Sequence, residues 1–444
     1  MNNNFEIAES MNTSVNPPFT DPTLDSVPSD APAAPSAATA TPSAALVAPS
    51  AATLAALGAE RDQALARSGW GQRFHLLQPR NLAFWVFGLL GILGAALFIL
   101  IIQPSGDNGI VLLRSIAAAV TLYALALWWF LRAVDKYARL SRGLIVAAFC
   151  WGAFPAFLIS ALGNDPLLTL WNNLFGTAFG VDWGAALTAP LVEEWSKGLG
   201  LIILITMAAR QIATALDGFV LGAFIGLGFQ VFEDVLYGVQ SAGAGFGLDP
   251  FGMATHVLVL RFITGISGHV VFSAIFCAGL VYVLGRPAQA RSRGFGAALI
   301  LLAMAMHGFW DALGGIFGPI MNSYAQSFTV TLPVVTIFIG TAVWVYQEAA
   351  PTERAIVRDV LAPDAAAGVL SQEQLVAATI GSRGRRAYVR AGTCRADRRS
   401  RRYSVEAVDD LANELASSGG ADSDRVLFAR NEVGRLGAVP QLTH

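Results

Sequence analysis

The chain has 444 residues, 54% of them hydrophobic and only 14% charged, with a mean hydropathy of +0.54. Soluble domains carry about 25% charged residues, so water is excluded as the main solvent of this chain. A formal net charge of −2 argues against nucleic acid as a general partner, because phosphate binding needs a basic surface.

Residues 1–58 are rich in Ala, Pro, Ser and Thr and nearly free of aromatics. Such a segment buries too little apolar surface to offset its chain entropy, so it is expected to be a disordered tail. The opening MNNNFEIAES lacks the basic start and apolar stretch of a signal peptide, and the first span is expected to direct insertion itself. Residues 59–81 read as a juxtamembrane segment carrying Arg61, Arg67, Arg73 and Arg80.

Over residues 82–347 eight apolar stretches approach the roughly 20 residues that cross a bilayer. They lie near 82–102, 110–131, 143–163, 184–207, 217–240, 255–285, 294–317 and 328–347. The sixth is long enough to tilt or to break. The stretch 166–180 is too polar and short to span and is read as interfacial. An all-α, polytopic transmembrane bundle follows, with a polar tail over 348–444.

Basic residues set its orientation. They precede the first span and follow the second (Arg132, Lys136, Arg139, Arg142), fourth (Arg210), sixth (Arg286, Arg291, Arg293) and eighth (Arg354, Arg358). The other connections carry none, so both termini are expected in the cytoplasm. Nine arginines between Arg383 and Arg402 read as part of a solvated tail, with contact to anionic lipid as the alternative. Of 29 basic residues only Lys136 and Lys197 are lysine, leaving 27 arginines. That bias points to GC-rich bacterial coding, and hence to a bacterial plasma membrane.

Spans four to seven contain Glu193, Glu194, Lys197, Glu233, Asp234, His269, His307 and Asp311. A charged side chain at the bilayer centre costs about 2.5–3.5 kcal/mol on insertion scales, so these groups must face the bundle interior and meet one another. Helical geometry favours one shared site within 184–317. Gly218, Gly222, Gly226, Phe229, Glu233 and Tyr237 fall within an arc of about 100°, with Asp234 about 100° away from Glu233. The glycines allow close helix approach. His307 and Asp311 share a face, as do Glu193, Lys197 and Gly200. Lys197 reads as a functional ammonium or as the counter-ion of Glu193. His256 reads as interfacial, Asp217 as a helix cap, and Arg261 as a carboxylate partner or substrate contact. Cys150, Cys277 and Cys394 have neither disulfide nor zinc-ligand spacing. No HExxH, nucleophile elbow or P-loop is present.

Four motifs carry a resemblance. Glu193-Glu194-Trp195-Ser196-Lys197 resembles the EExxK motif of the PrsW family of intramembrane proteases. Asp217-Gly218 with Gly226-Leu227-Gly228-Phe229 and Glu233 resembles its second motif. The stretch from Arg261 to Ala274 containing His269 resembles the third, and His307-Gly308-Phe309-Trp310-Asp311 the fourth. The match covers about 184–315 and departs at Asp234, where the family commonly has Asn. The family is similar to the CAAX-type prenyl endopeptidases, whose site combines glutamates, histidines and an amide.

The resemblance implies an intramembrane endopeptidase acting on a single-span membrane protein in the lipid bilayer, with Glu193, Glu194, Lys197, Glu233, His269, His307 and Asp311 as its site. Two schemes fit. In one, Glu233, His269 and His307 bind Zn²⁺ and a span-four glutamate is the base. In the other, metal-free, Glu194 or Glu193 is the base, His269 assists, and His307 and Asp311 hold the oxyanion. A proton-coupled transporter or channel is the competing class, because intramembrane carboxylates and histidines also make proton relays; a silent, partner-binding member is a third. No internal repeat pairs the two halves. The sequence carries no signal of oligomeric state.

Overall fold

The structure is a computed structural model that describes residues 49–103, 106–134, 140–244, 249–321 and 324–437. The tail expected over 1–58 lies outside the described residues as far as residue 48, as do Lys136 and Arg139 of the orientation argument. Among the described residues there is no β-strand.

Helix α1 (Ala51–Ser68) opens inside the segment expected to be unstructured. Ser50 caps it, its hydroxyl accepting from Thr53 N at 3.1 Å, and alanine is the best helix former. The membrane region then runs through α2 (Leu82–Ile101), α3 (Gly106–Val134), α4 (Arg142–Trp151), a π-helical turn at Gly152–Ala156 and α5 (Phe157–Phe175). It continues with α6 (Thr177–Met207), α7 (Ala215–Ala244), α8 (Pro250–Thr264), α9 (His269–Leu284), α10 (Arg293–Asp311), the short α11 (Leu313–Phe317) and α12 (Tyr324–Ala366).

Six of these helical stretches are long and apolar enough to cross a bilayer: Leu82–Ile101, Leu112–Trp129, Arg142–Phe175, Ala215–Ala242, Arg293–Asp311 and Gln326–Ala366. The other two expected spans are present as helices that miss those criteria for physical reasons. Helix α6 carries Glu193, Glu194 and Lys197 in its middle. The sixth stretch breaks, at Gly265–Ser267, into α8 and the 16-residue α9. Residues 166–180 form no separate interfacial element. They complete α5 and begin α6 around Gly176, whose φ of 91° suits glycine.

Helix α7 is the centre of the bundle, 89% of its apolar window being buried. Its glycine stripe meets α9. A Cβ at Gly222 would lie 2.3 Å from the Ser273 carbonyl oxygen, and one at Gly226 would lie 2.2 Å from that of His269. Around it Trp151, Phe224, Phe272 and Phe276 fill the core.

The segment expected to be a polar tail is folded. Helix α12 runs on for 43 residues and is followed by α13 (Gln372–Thr379), α14 (Ser382–Arg390), α15 (Arg395–Ser417) and α16 (Asp424–Gly437). Val360, Leu361, Val408, Leu411, Leu415 and Val426 form its apolar centre together with Ala64 and Leu65 of α1. Buried Asp364 is held by Arg61 and by Arg430, the latter at 2.5 Å.

Candidate active site

Four helices bring their ionisable side chains to one place. On α6, Trp151 Nε1 donates to the Ser196 carbonyl at 2.9 Å and fixes the helix where Glu193, Glu194 and Lys197 face inward. Lys197 Nζ donates to Glu194 Oε1 at 2.9 Å and to Glu193 Oε2 at 3.4 Å, and it stands 2.8 Å from His269 Nδ1. It also lies 4.0 Å from the centre of the Phe229 ring. A lysine with no exposed surface is tolerable here because carboxylates surround it.

His269 opens α9 directly after the break. Its Nε2 is 2.7 Å from Glu233 Oε2, and its Nδ1 is 3.8 Å from Glu193 Oε2. His307 on α10 presents Nε2 3.8 Å from the same Glu193 oxygen and 3.5 Å from Asp311 Oδ2. Its Nδ1 is 3.0 Å from Glu194 Oε1. The two imidazoles meet edge to face with centroids 5.1 Å apart, and Phe272 stacks on His307 at 5.0 Å.

All seven predicted site residues therefore belong to one connected set. They divide by access. Glu193, Glu233, His269, His307 and Asp311 line a cavity of about 190 Å³, room for several waters at about 30 Å³ each. Glu194 and Lys197 lie behind its wall with no exposed surface. Three donors, from Glu193, His269 and His307, fall within 4.8 Å of one another and could hold a metal ion. The carboxylate in that group is Glu193. Glu233, the expected ligand, is engaged by Arg261 and His269 instead.

The remaining assignments sort in the same way. Arg261 pairs with both Glu233 and Asp234 and stacks over Tyr237, so it is a carboxylate partner. Gln230 Nε2 also donates to Asp234, at 2.8 Å. His256 is exposed on α8. Asp217 caps α7 with Thr214: its Oδ2 accepts from Ala213 N and Thr214 N, and its own N–H donates to Thr214 Oγ1 at 3.2 Å. All three cysteines are free.

Sequence reasoning missed Asn164 and Ser273. Asn164, on α5, donates from Nδ2 to Glu193 Oε1 at 3.1 Å and lines the cavity. Ser273 donates to Glu194 Oε2 at 3.1 Å. Asn164 falls just past the apolar stretch 143–163 and reads there as the end of a span. Ser273 lies four residues after His269, on the same face, and that spacing is the signal that could have found it.

A polytopic helical bundle with carboxylates and histidines gathered around an internal polar cavity is compatible with an intramembrane hydrolase centre. Residues 141–343 match the family model described as PrsW family intramembrane metalloprotease. Protease PrsW of Clostridioides difficile (strain 630) is 23% identical over 193 residues, which cover 44% of this chain and 76% of that relative. No solved structure matches. Over residues 141–343 the chain is similar to the PrsW family, and it is a multi-pass membrane endopeptidase that acts on protein substrates within the membrane. Nothing in the fold or the comparisons supports the transporter alternative.

Proposed function

We propose that this protease cuts the helix of a single-span membrane protein, with Glu193, His269 and His307 holding a Zn²⁺ ion. One observation carries the reading: a carboxylate lies beside the second ring nitrogen of each histidine, as a hydrogen bond at His269 and as an ion-pair contact without a hydrogen bond at His307. Glu233 stands 2.7 Å from His269 Nε2, and Glu194 stands 3.0 Å from His307 Nδ1. Metal-bound histidines nearly always carry such a partner, which fixes the ring and the tautomer. His269 Nδ1 and His307 Nε2 are then the ligating atoms, each 3.8 Å from Glu193 Oε2. Zinc bonds of about 2.1 Å in a tetrahedron separate ligands by about 3.4 Å; each histidine is within a few tenths of an ångström of that distance from Glu193, and all three donors lie within 4.8 Å of one another.

Charge balance supports a cation. Glu193, Glu194, Glu233, Asp234 and Asp311 set five formal negative charges against Lys197 and Arg261, a surplus of three. Uncompensated buried charge costs several kcal/mol per ion. A divalent ion removes most of the surplus.

When bound, the ion supplies Lewis acidity to the attacking water and the scissile carbonyl. The chain's own groups do the rest. Asn164 orients Glu193, Glu233 and Glu194 orient the two histidines, and Arg261 orients Glu233. Asp311 lines the cavity with its side chain 22% exposed and takes the proton from water. An ion at these donors requires Lys197 to release His269 Nδ1, with Glu194 remaining as its partner.

The Lys197 contact to His269 favours a second, metal-free reading. There Glu193 is the base, Lys197 is the fixed positive charge beside it, and His307 steadies the oxyanion. Glu194 is buried away from the cavity and serves as a charge partner in both readings. The alternation of arginine-bearing connections supports cytoplasmic termini in a bacterial plasma membrane.

Elemental analysis of the purified protein separates the two readings. The zinc reading expects one ion per chain in the wild type and loss of the ion in His307→Ala. Active protein with no stoichiometric metal excludes it.

A further inference from the structure

We propose that the folded C-terminal subdomain docks on the anionic lipid surface beside the bundle, through an arginine stripe on α14 and the start of α15. The inference is independent of the chemistry at the intramembrane site.

The stripe is displayed on a scaffold. Arg383, Arg386 and Arg390 are spaced by three and four residues, which confines them to about 60° of one helix face. All three are exposed, as is Arg395 at the start of α15. Among the described residues none of the four side chains makes a hydrogen bond or ion pair. The opposite face of α14 is committed to the subdomain. Arg385 reaches both oxygens of Asp409 at 2.6 Å, and the Tyr388 ring lies 5.0 Å from the Arg401 guanidinium. From Arg383 to Arg402 nine arginines face one acid, Asp397, and Asp397 is taken by Arg401. Arg385 and Arg402 pair with Asp409 and Glu406 beyond that stretch, and the positive field of Arg383, Arg386, Arg390 and Arg395 is left for a partner.

Position selects that partner. Gly381, immediately before α14, packs so closely on α12 that a Cβ there would lie 2.9 Å from Arg354 Nη2. Arg354 follows the eighth apolar stretch by about 10 Å of helix. Two further contacts hold the subdomain against the membrane-proximal turns. Ala288, in the turn between α9 and α10, packs on the subdomain's apolar cluster. A Cβ at Gly69, whose φ is 61°, would lie 2.0 Å from the Arg210 carbonyl oxygen just after α6. A basic amphipathic helix held at that level faces lipid headgroups, and clusters of four to eight Lys or Arg in this position bind anionic lipid. Nucleic acid meets the same charges, but nothing anchors it at the membrane surface.

Cys394 gives a native reporter, because it is exposed between Arg390 and Arg395, whereas Cys277 is buried and Cys150 half-buried. The full-length protein, labelled there with an environment-sensitive dye, is placed in nanodiscs of phosphatidylcholine alone or with about 30% phosphatidylserine. The expected result is that acrylamide quenching falls about twofold or more in the anionic discs. Salt near 0.5 M, which shortens the Debye length to a few ångströms, restores it. The triple variant Arg383→Gln/Arg386→Gln/Arg390→Gln loses the response, and the Lys triple variant retains it. Quenching that is the same in both lipids, or unchanged in the Gln variant, overturns the proposal. So does a fluorescent RNA oligonucleotide that binds through these arginines while phosphatidylserine has no effect.

Discussion

Asn164 shows what a single amide contributes in a site built from charge. Its Nδ2 holds one oxygen of Glu193, leaving Oε2 for the two histidines. Removing such an orienting partner typically lowers metal affinity or activity by about 10–100-fold. Asn164→Ala is expected to fall in that range while circular dichroism stays unchanged; wild-type cleavage and metal affinity would remove its role. Glu193→Gln is expected to lose at least about 100-fold in cleavage, because Glu193 is a metal ligand in one reading and the general base in the other. Glu194→Gln acts differently, since it unbalances Lys197 behind the cavity wall. Removing one member of a buried pair costs about 3–5 kcal/mol, so this variant should unfold at lower temperature as well as cleave less. Glu193 and Glu194 are adjacent and look equivalent in the sequence. The structure tells them apart: Asn164 holds Glu193 at the cavity, and Ser273 holds Glu194 behind its wall.

At the level of the helix, the glycine stripe of α7 was readable because its spacing repeats every four residues. Its partner was not, because periodicity says which face is small and not what approaches it. That partner is the carbonyl ladder of α9 at His269, Ser273 and Cys277, met by Gly226, Gly222 and Gly218 in turn. The register carries Glu233 to His269. Gly226→Leu therefore has no room, and overpacking costs about 1–3 kcal/mol. Thermal unfolding should show that loss together with loss of cleavage, whereas Gly340→Ala, where a Cβ meets nothing within 4 Å, should change neither. The break of the sixth stretch was legible only as excess length. Its location at Gly265–Ser267 puts His269 at the start of a helix, and the length of the stretch does not say where the break falls.

For the whole molecule, hydropathy revealed the membrane bundle because lipid demands long apolar helices. It concealed the C-terminal subdomain, whose helices are polar outside and apolar only along narrow faces such as Val408, Leu411 and Leu415. Alanine-rich α1 spans the boundary between the expected tail and the juxtamembrane segment, and hydropathy does not reveal it as a helix because its core contribution is confined to Ala64, Leu65 and the arginine that meets Asp364. The buried Arg61–Asp364–Arg430 group joins α1, α12 and α16. Asp364→Ala is expected to destabilise the subdomain by about 3–5 kcal/mol, seen as faster proteolysis of α13–α16, with the transmembrane fragment still protected. Equal protection of wild type and variant would mean the group does not hold the subdomain together.

The central claim is that groups from α6, α7, α9 and α10 act together on peptide bonds inside the membrane. It is tested most directly by mapping new N-termini in membrane fractions from cells expressing wild-type, Glu193→Gln or His307→Ala protein at equal levels. The expected result is a set of cleavages within or beside the spans of membrane proteins in the wild type, absent from both variants. The same cleavages persisting in either variant would contradict it.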